Sequence, residues 1–330
     1  MLVRELFDGG VDIIGDVHGE YDMLLALLKG LGYDSKGMHA DGRRLVFVGD
    51  LTDRGPDSPA VVRLVRELVD VGRAQCVLGN HELNILRGER KQGNAWFFGE
   101  RDRFKDGSET NEALADSRGR RETLELFSSL PLALERNDLR VVHACWMDEH
   151  VEGVRAVSED LVSFSQAEVD RIDVQLAVER TAARAFVTQH RFDVLGNKPP
   201  PNSRLGALRT REQNDHPVKV MTSGIEEPAD DPFWSGGRWR YEHRVPWWND
   251  YVGPMVVVGH YWRSLDTSKP RTKGRDLFAG TEPRLPLGKG NVMCVDFSIG
   301  YRAQERHSGQ PHATALAGYR WPEGELVFAH

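Results

Sequence analysis

The first half of the chain alternates short apolar runs with segments of helical periodicity. Apolar runs at Val11–Ile14, Leu45–Val48 and Gln75–Leu78 predict three β-strands. Apolar residues at 24, 27, 28 and 31 form a helical stripe between the first two runs, and a second stripe over 61–69 separates the last two. Strands and helices that alternate with short joints are typical of βαβ units, so we predict a mostly parallel sheet.

The middle of the chain follows these patterns less closely. A polar stretch leads into a helix predicted from about residue 109 to 128, and residues 132–142 predict a hairpin closed by a polar two-residue turn. Residues 166–189 predict one long amphipathic helix. The tryptophan-rich segment beyond it has weak periodicity and predicts no regular element.

Regular strands return near the end of the chain, at 255–258 and 292–297 and in a terminal hairpin. The α/β pattern is therefore interrupted once. We predict a single core formed by residues 1–150 and 251–330, with residues 151–250 as an inserted helical and irregular segment of unknown role.

The composition is that of a globular protein, with 40% hydrophobic and 28% charged residues. Acidic residues outnumber basic ones by 50 to 43, and the formal net charge of −7 argues against bulk electrostatic binding to nucleic acid or to anionic membranes. The apolar runs are too short for a transmembrane helix, and no signal-peptide pattern opens the sequence. Three widely spaced cysteines form no disulfide framework, so we expect a cytoplasmic location.

Side chains able to bind metals directly follow five of the predicted strands. Open α/β sheets place ligands at the carboxyl ends of their strands, and glycines beside four of these positions allow the backbone to turn sharply. The side chains in these positions are those of Asp16, His18, Asp50, Asn80, His143 and His260.

This set of oxygen and imidazole donors is too large for one tetrahedral zinc ion. It suits two five- or six-coordinate divalent ions that share Asp50 as a bridging carboxylate. Because no thiolate is included, iron, manganese, zinc or magnesium fits the set better than copper(I). Two such ions about 3.5–4 Å apart generate hydroxide at neutral pH and neutralise the oxygens of an in-line phosphoryl displacement.

Three motifs, in this order, carry a resemblance to a known family: Asp16-Val-His18-Gly, Gly49-Asp50-Leu-Thr-Asp53-Arg54-Gly and Gly79-Asn80-His81-Glu82. The sequence resembles the calcineurin-like metallophosphoesterases. Within them it is similar to the phosphoprotein phosphatase branch, which includes serine/threonine phosphatases and symmetrical dinucleoside tetraphosphatases. The resemblance implies an α/β (α+β) fold with a central mixed β-sandwich flanked by helices.

The resemblance also implies a role for each matching residue. Asp16 and His18 would bind one metal ion, Asp50 would bridge, and a second ion would be held by Asn80, His143 and His260. His81 would be the general acid, Asp53 would orient it, and Arg54 would grip the phosphate. A second phosphate-binding arginine is expected between the last two histidines, with Arg238, Arg240 and Arg244 as candidates and the last two favoured. Manganese is the favoured metal.

These roles imply a hydrolase in which metal-bound hydroxide attacks phosphorus directly. The substrate stays open between a phosphoprotein, a dinucleoside polyphosphate and a small phosphomonoester. A non-catalytic scaffold is disfavoured, because the expected ligands and the acid are all present.

Five of the eight tryptophans fall close together among arginines, at 234, 239, 247, 248 and 262. This segment is either a stacking wall for a nucleobase or a small core of large side chains. We favour the core, since segments with poor periodicity need large side chains to bury enough apolar surface.

Overall fold

Two β-sheets lie at the centre of the structure, a computed structural model that describes residues 1–268 and 274–330. The first sheet has the strand order β1 (Val3–Glu5), β5 (Ala133–Glu135), β6 (Leu139–Val142), β9 (Met255–Val258) and β10 (Val292–Cys294). The second has the order β11 (Asp296–Phe297), β12 (Ala315–Trp321), β2 (Val11–Ile14), β3 (Arg44–Phe47) and β4 (Ala74–Cys76), and β13 (Glu325–Ala329) pairs with β12. Both sheets mix parallel and antiparallel pairs.

The two sheets pack face to face, because side chains alternate between the two faces of each strand. Val11, Ile13 and Val46 of the second sheet share one buried layer with Val141 and Val257 of the first. The neighbouring residues along the strands point to the outer faces and pack against helices. The predicted mixed β-sandwich is confirmed.

Ten α-helices lie around the sheets in the described residues, and among those residues no helix is long and apolar enough to cross a bilayer. Their ranges are α1 Tyr21–Leu31, α2 Ser58–Asp70, α3 Asn80–Leu86, α4 Ser117–Ser129, α5 Asp148–Arg155, α6 Leu161–Gln175, α7 Ala177–His190, α8 Ser203–Asn214, α9 Pro217–Ser223 and α10 Arg302–Ser308. Helix α2 shows why these sequences start helices, since the Asp57 side chain accepts a hydrogen bond from the amide of Ala60 and Pro59 lies in the first turn.

The predicted βαβ units are present in the second sheet. Strands β2, β3 and β4 are parallel neighbours, joined through α1 and α2. Parallel pairing brings the carboxyl ends of the three strands to one edge of this sheet. In the first sheet β6, β9 and β10 are also parallel neighbours, so the ends of β6 and β9 lie side by side.

Two predictions for the segment 151–250 are wrong, those of a single helix over 166–189 and of no regular element in the tryptophan-rich segment. The single helix over 166–189 is two helices, α6 and α7, which break at Leu176. Leu176 is fully buried in a small cluster with Leu205 and Leu208 of α8, and its φ of −104° and ψ of 16° depart from helical values. Helix α4 also starts later than expected, at Ser117, where the Asp116 side chain caps it.

The tryptophan-rich segment forms an antiparallel hairpin of β7 (Glu226–Ser235) and β8 (Arg238–Arg244). The sequence of β7 shows no regular alternation of apolar and polar residues, because the pairing register shifts between Pro228 and Phe233, where prolines and aspartates interrupt the strand. Gly236 and Gly237 both have positive φ, the conformation of a tight hairpin turn. This Gly-Gly pair is the sequence signal that identifies the hairpin.

Candidate metal centre

Five strand ends bring the expected metal ligands to one place. The loop after β2 carries Asp16 and His18, and the loop after β3 carries Asp50. Helix α3 starts on Asn80 after the short loop that follows β4, while His143 and His260 follow β6 and β9 in the other sheet. Apart from half-buried Asn80, all of these residues are buried. We call the six residues the ligand cluster.

Asp50 lies at the centre of the ligand cluster. Its Oδ1 is 3.3 Å from Nε2 of His143, and its Oδ2 is 3.8 Å from Nε2 of His18. Two groups able to hold a cation share this carboxylate, one with His18 and His81 and the other with His143 and His260. Ligand atoms within each group lie within 4.8 Å of one another. Asp50 is thus the one residue common to both groups, and its bridging role stays a prediction.

Backbone carbonyls orient two of the imidazoles. Nδ1 of His143 is 2.7 Å from the Val48 oxygen, and Nδ1 of His18 is 3.0 Å from the Thr52 oxygen. A carbonyl only accepts hydrogen bonds, so each Nδ1 carries a proton, and in a neutral ring Nε2 presents its lone pair to the cluster. This arrangement is common around metal-ligating histidines.

Several contacts in the ligand cluster call for a proton or a cation between the side chains. Nε2 of His143 lies 3.2 Å from the Asn80 Oδ1 and 3.3 Å from the Asp50 Oδ1, an approach that demands a proton or a cation. The buried Nε2 of His260 has no hydrogen-bond partner among the described residues. These donors fit divalent ions.

The charges of the cluster shift one another's ionisation. Burial opposes the charged ring of His143, yet the carboxylates of Asp50 and Asp16 raise the pKa of His143 to about 10. Burial likewise opposes ionised Asp50, but His143 and His81 hold the pKa of Asp50 well below its usual range. Burial and the nearby Arg244 guanidinium lower the pKa of His260 well below that of a free imidazole. Without a metal, a proton on His143 compensates the central carboxylate.

Backbone strain is concentrated at the site. Five residues that are not glycine have φ in the left-handed region, between +46° and +77°. Such conformations cost free energy and persist only where the surrounding structure imposes them. The residues are His18, Asp50, Asp53, Arg54 and His260.

Asp16 is held by the backbone of the loop after β9. Its two carboxylate oxygens accept from the amide of His260 at 3.2 and 3.1 Å. The neighbouring Gly259 is close enough that an added Cβ would lie 1.9 Å from Oδ1 of Asp16. Glycine is therefore required for the two sheets to meet at the ligand cluster.

The variant Gly259→Ala is expected to displace Asp16 and weaken metal binding. The new methyl group would also lie 2.8 Å from Cγ2 of Val48, so overpacking should lower the free energy of unfolding by about 1–3 kcal/mol. Thermal unfolding and metal titration of the variant measure both effects. Gly153→Ala, where nothing lies within 4 Å of the added carbon, is the matched control; it should keep the metal affinity and lose no stability, because alanine favours helix α5. Equal metal affinity in the two variants would contradict this account.

His81 lies beside the ligand cluster in a chain of hydrogen bonds. Its Nδ1 donates to Oδ2 of Asp53 at 2.5 Å, and the indole of the buried Trp96 donates to the other Asp53 oxygen at 2.7 Å. Nε2 of His81 accepts from Arg54 at 2.9 Å, and the other branch of that guanidinium donates to Nε2 of His18 at 2.8 Å. Asp53 therefore fixes the tautomer of His81, and the Arg54 guanidinium lies next to the Nε2 atom of His81.

Sequence reasoning missed three buried residues that support the site. Trp96 orients Asp53, and Asp296 accepts the backbone amide of Trp262 at 2.6 Å. Glu82 accepts from the amides of Asp50 and Leu51 at 2.8 and 2.9 Å, and burial and the charge of Asp50 raise the pKa of Glu82 to about 7. Glu82 could have been found from the sequence, because it is the last residue of the third motif.

The two arginine candidates differ in their surroundings. Arg240 donates to Glu242 at 3.1 Å and is committed to the hairpin. Arg244 lies close enough to His260 to lower the pKa of its imidazole, and its guanidinium carbon is 5.8 Å from the ring centroid of Tyr261. Within residues 1–268 and 274–330 the Arg244 side chain has no hydrogen-bond partner. The structure thus brings Arg244, but not Arg240, to the cluster.

The calcineurin-like phosphoesterase family matches residues 10–260, a stretch that includes the whole ligand cluster. The chain belongs to this family, which confirms the class that the three motifs indicate. Its members carry a dinuclear site for divalent metals, and the two cation-binding groups around Asp50 are the candidate ligands in this chain.

Curated relatives are similar over part of the chain. A protein of Halalkalibacterium halodurans named bis(5'-nucleosyl)-tetraphosphatase PrpE (asymmetrical) is 40% identical over 131 residues, which are 39% of this chain and 50% of that protein. The protein of the same name from Oceanobacillus iheyensis is 37% identical over 154 residues, 43% of this chain and 58% of its own. The chain thus spans about half the length of these relatives. The structure of a protein serine/threonine phosphatase from Saccharomyces cerevisiae aligns with 99% of this chain and 82% of the phosphatase chain. The sequence identity is 16% and the TM-score is 0.47, a likeness too weak to bear on function.

Proposed function

We propose that this chain hydrolyses phosphoester or phosphoanhydride bonds with two divalent metal ions, manganese being the favoured pair. The observation that carries the proposal is the single carboxylate of Asp50 shared by two cation-binding groups. Divalent ions in such a site lower the pKa of water and neutralise phosphoryl oxygens. Asp16, His18 and Asp50 would hold one ion, and Asp50, Asn80, His143 and His260 the other.

The residues beside the ligand cluster would carry out the remaining chemistry. His81 would give a proton to the leaving oxygen from Nε2, a role supported by the hydrogen bond between its Nδ1 and Asp53. The Arg54 guanidinium has two parallel N–H groups, which in this structure donate to His18 and His81. The same two groups suit two oxygens of a phosphoryl group. Arg244, which lies near His260, would bind the same substrate.

For the substrate, we propose a dinucleoside polyphosphate. The curated relatives are named as asymmetrical tetraphosphatases, and their similarity to this chain is 40% and 37% over the matched parts. Phosphoproteins and small phosphomonoesters are the alternatives, and neither is favoured by a contact at the site.

The test is a parallel assay of diadenosine tetraphosphate, a phosphopeptide panel and p-nitrophenyl phosphate, with manganese and with a chelator. We expect manganese-dependent turnover that is fastest on diadenosine tetraphosphate, and chromatography should show ATP and AMP if cleavage is asymmetrical. Turnover that persists in chelator would refute the metal mechanism. Comparable rates on every compound would refute the proposed substrate alone.

Replacing Arg244 by alanine is expected to raise KM for diadenosine tetraphosphate about tenfold or more, because a charged hydrogen bond to phosphate is lost. Arg240→Ala removes the same group from the same strand, where it is already paired with Glu242, and should change KM less than about twofold. Steady-state kinetics of the two variants decide the assignment, and it fails if Arg240→Ala has the larger effect.

A further inference from the structure

The clustered tryptophans occupy different surroundings. Trp247 and Trp248 are 3% and 1% exposed and belong to the main core, and Trp239 packs edge-on against Trp234 within the hairpin at 5.6 Å between ring centroids. Trp247 and Trp248 therefore bury apolar surface in the main core and not in a small core of their own, while Trp239 and the half-buried Trp234 contact each other in the hairpin. Trp262 differs, because the guanidinium carbon of Arg54 lies over its ring, 4.8 Å from the centroid.

The position of Trp262 is fixed by the residues around the ligand cluster. It follows His260 by two residues, and its φ of +56° is again in the left-handed region. Its amide donates to Oδ2 of the buried Asp296 at 2.6 Å. These constraints hold the half-buried indole beside Arg54.

Tyr301 completes an aromatic corner with Trp262. The ring centroids are 6.5 Å apart, the ring planes meet at 69°, and Tyr301 is 38% exposed. The preceding Gly300 lies against the site, since a Cβ there would be 2.5 Å from Cδ2 of His18 and 2.6 Å from Nη1 of Arg54. The aromatic corner, Trp262 and Tyr301, thus adjoins the Arg54 guanidinium.

We propose that the aromatic corner binds the nucleobase of a nucleoside polyphosphate whose phosphates are held at Arg54 and the ligand cluster. The inference rests on the proposed function and names which part of the substrate gives it specificity. Bases stack on aromatic side chains through their flat π-faces, and each such contact strengthens binding by about tenfold. Arg54 lies between the imidazoles of the cluster and the indole, so one guanidinium links the phosphate and base positions.

Calorimetric binding of ADP and of inorganic tripolyphosphate, which has no base, tests the proposal. With manganese-loaded protein we expect Trp262→Ala to weaken ADP binding about tenfold and tripolyphosphate binding less than about twofold. Trp262→Phe should restore most of the ADP affinity. Trp234→Ala, an aromatic change away from the ligand cluster, is the matched control and should bind both compounds like the wild type.

Unchanged ADP binding in Trp262→Ala would overturn the proposal. An equal loss for both compounds would overturn it too, since Trp262 would then act only by supporting Arg54. If Trp262→Ala does not fold, Tyr301→Ala at the exposed ring gives the same comparison, with the same outcomes. Binding needs no turnover, so a wild-type protein that binds ADP through the corner but hydrolyses no phosphate compound would refute the proposed function alone.

Discussion

Replacing Asp50 by asparagine is expected to lower kcat/KM by on the order of 10³ or more and to reduce the bound metal below two ions per chain. Asparagine keeps the shape, and its carbonyl oxygen can still accept from the His81 amide as Oδ1 of Asp50 does at 3.1 Å. It removes the negative charge that two cation-binding groups share. Elemental analysis and manganese-supported turnover measure the two effects.

The control for this variant is Asp41→Asn, at a carboxylate that is 83% exposed, pairs with His39 and is not part of the ligand cluster. It should keep wild-type turnover and metal content. An Asp50→Asn protein that retains two ions and more than about a tenth of the wild-type activity would contradict the bridging role.

The variant His81→Ala is expected to lose a factor of about 10²–10⁴ in kcat while keeping its metal content. A general acid matters most when the leaving oxygen is basic. The loss should therefore be large for phenyl phosphate, whose leaving group resembles a tyrosine side chain, and clearly smaller for the more acidic p-nitrophenol. Comparing kcat for both esters measures this difference, and an equal loss on both would argue against proton donation by His81.

The metal content of the His81→Ala protein must be measured too, because the loss of a metal ion would also lower kcat. His81 belongs to one of the cation-binding groups around Asp50, so its removal could release an ion instead of a proton donor. Elemental analysis of the variant separates the two. Loss of metal in parallel with loss of activity would assign His81 to the ligands and not to the acid.

The site was predictable because its chemistry sits at strand ends. Gly49-Asp50 and Gly79-Asn80 mark where apolar runs stop. Parallel pairing brings the carboxyl ends of such strands together for any conformation of the connecting loops. Contacts across distant sequence were not predictable. Nothing in the spacing places Trp96 against Asp53, since that hydrogen bond depends on how an irregular loop returns to the core.

The segment with weak periodicity shows the limit of pattern reasoning. Arg240 and Arg244 lie on the same face of β8, so the alternation does not distinguish them. Their surroundings do, since Arg240 donates to Glu242 whereas Arg244 lies beside the ring of Tyr261. Trp247 and Trp262 look alike in the sequence, yet one fills the core and the other meets Arg54. Side-chain surroundings in such a segment follow from tertiary packing, which local composition does not determine.

The site also joins the two layers of the sandwich. The second sheet contributes the residues up to Asn80, and the first sheet contributes His143 and His260. During synthesis on a ribosome, the last donor, His260, is added 180 residues after Asn80, so it leaves the exit tunnel long after the donors of the second sheet. A nascent polypeptide consequently cannot complete its dinuclear centre early, and cation uptake should mark the moment at which both layers have docked.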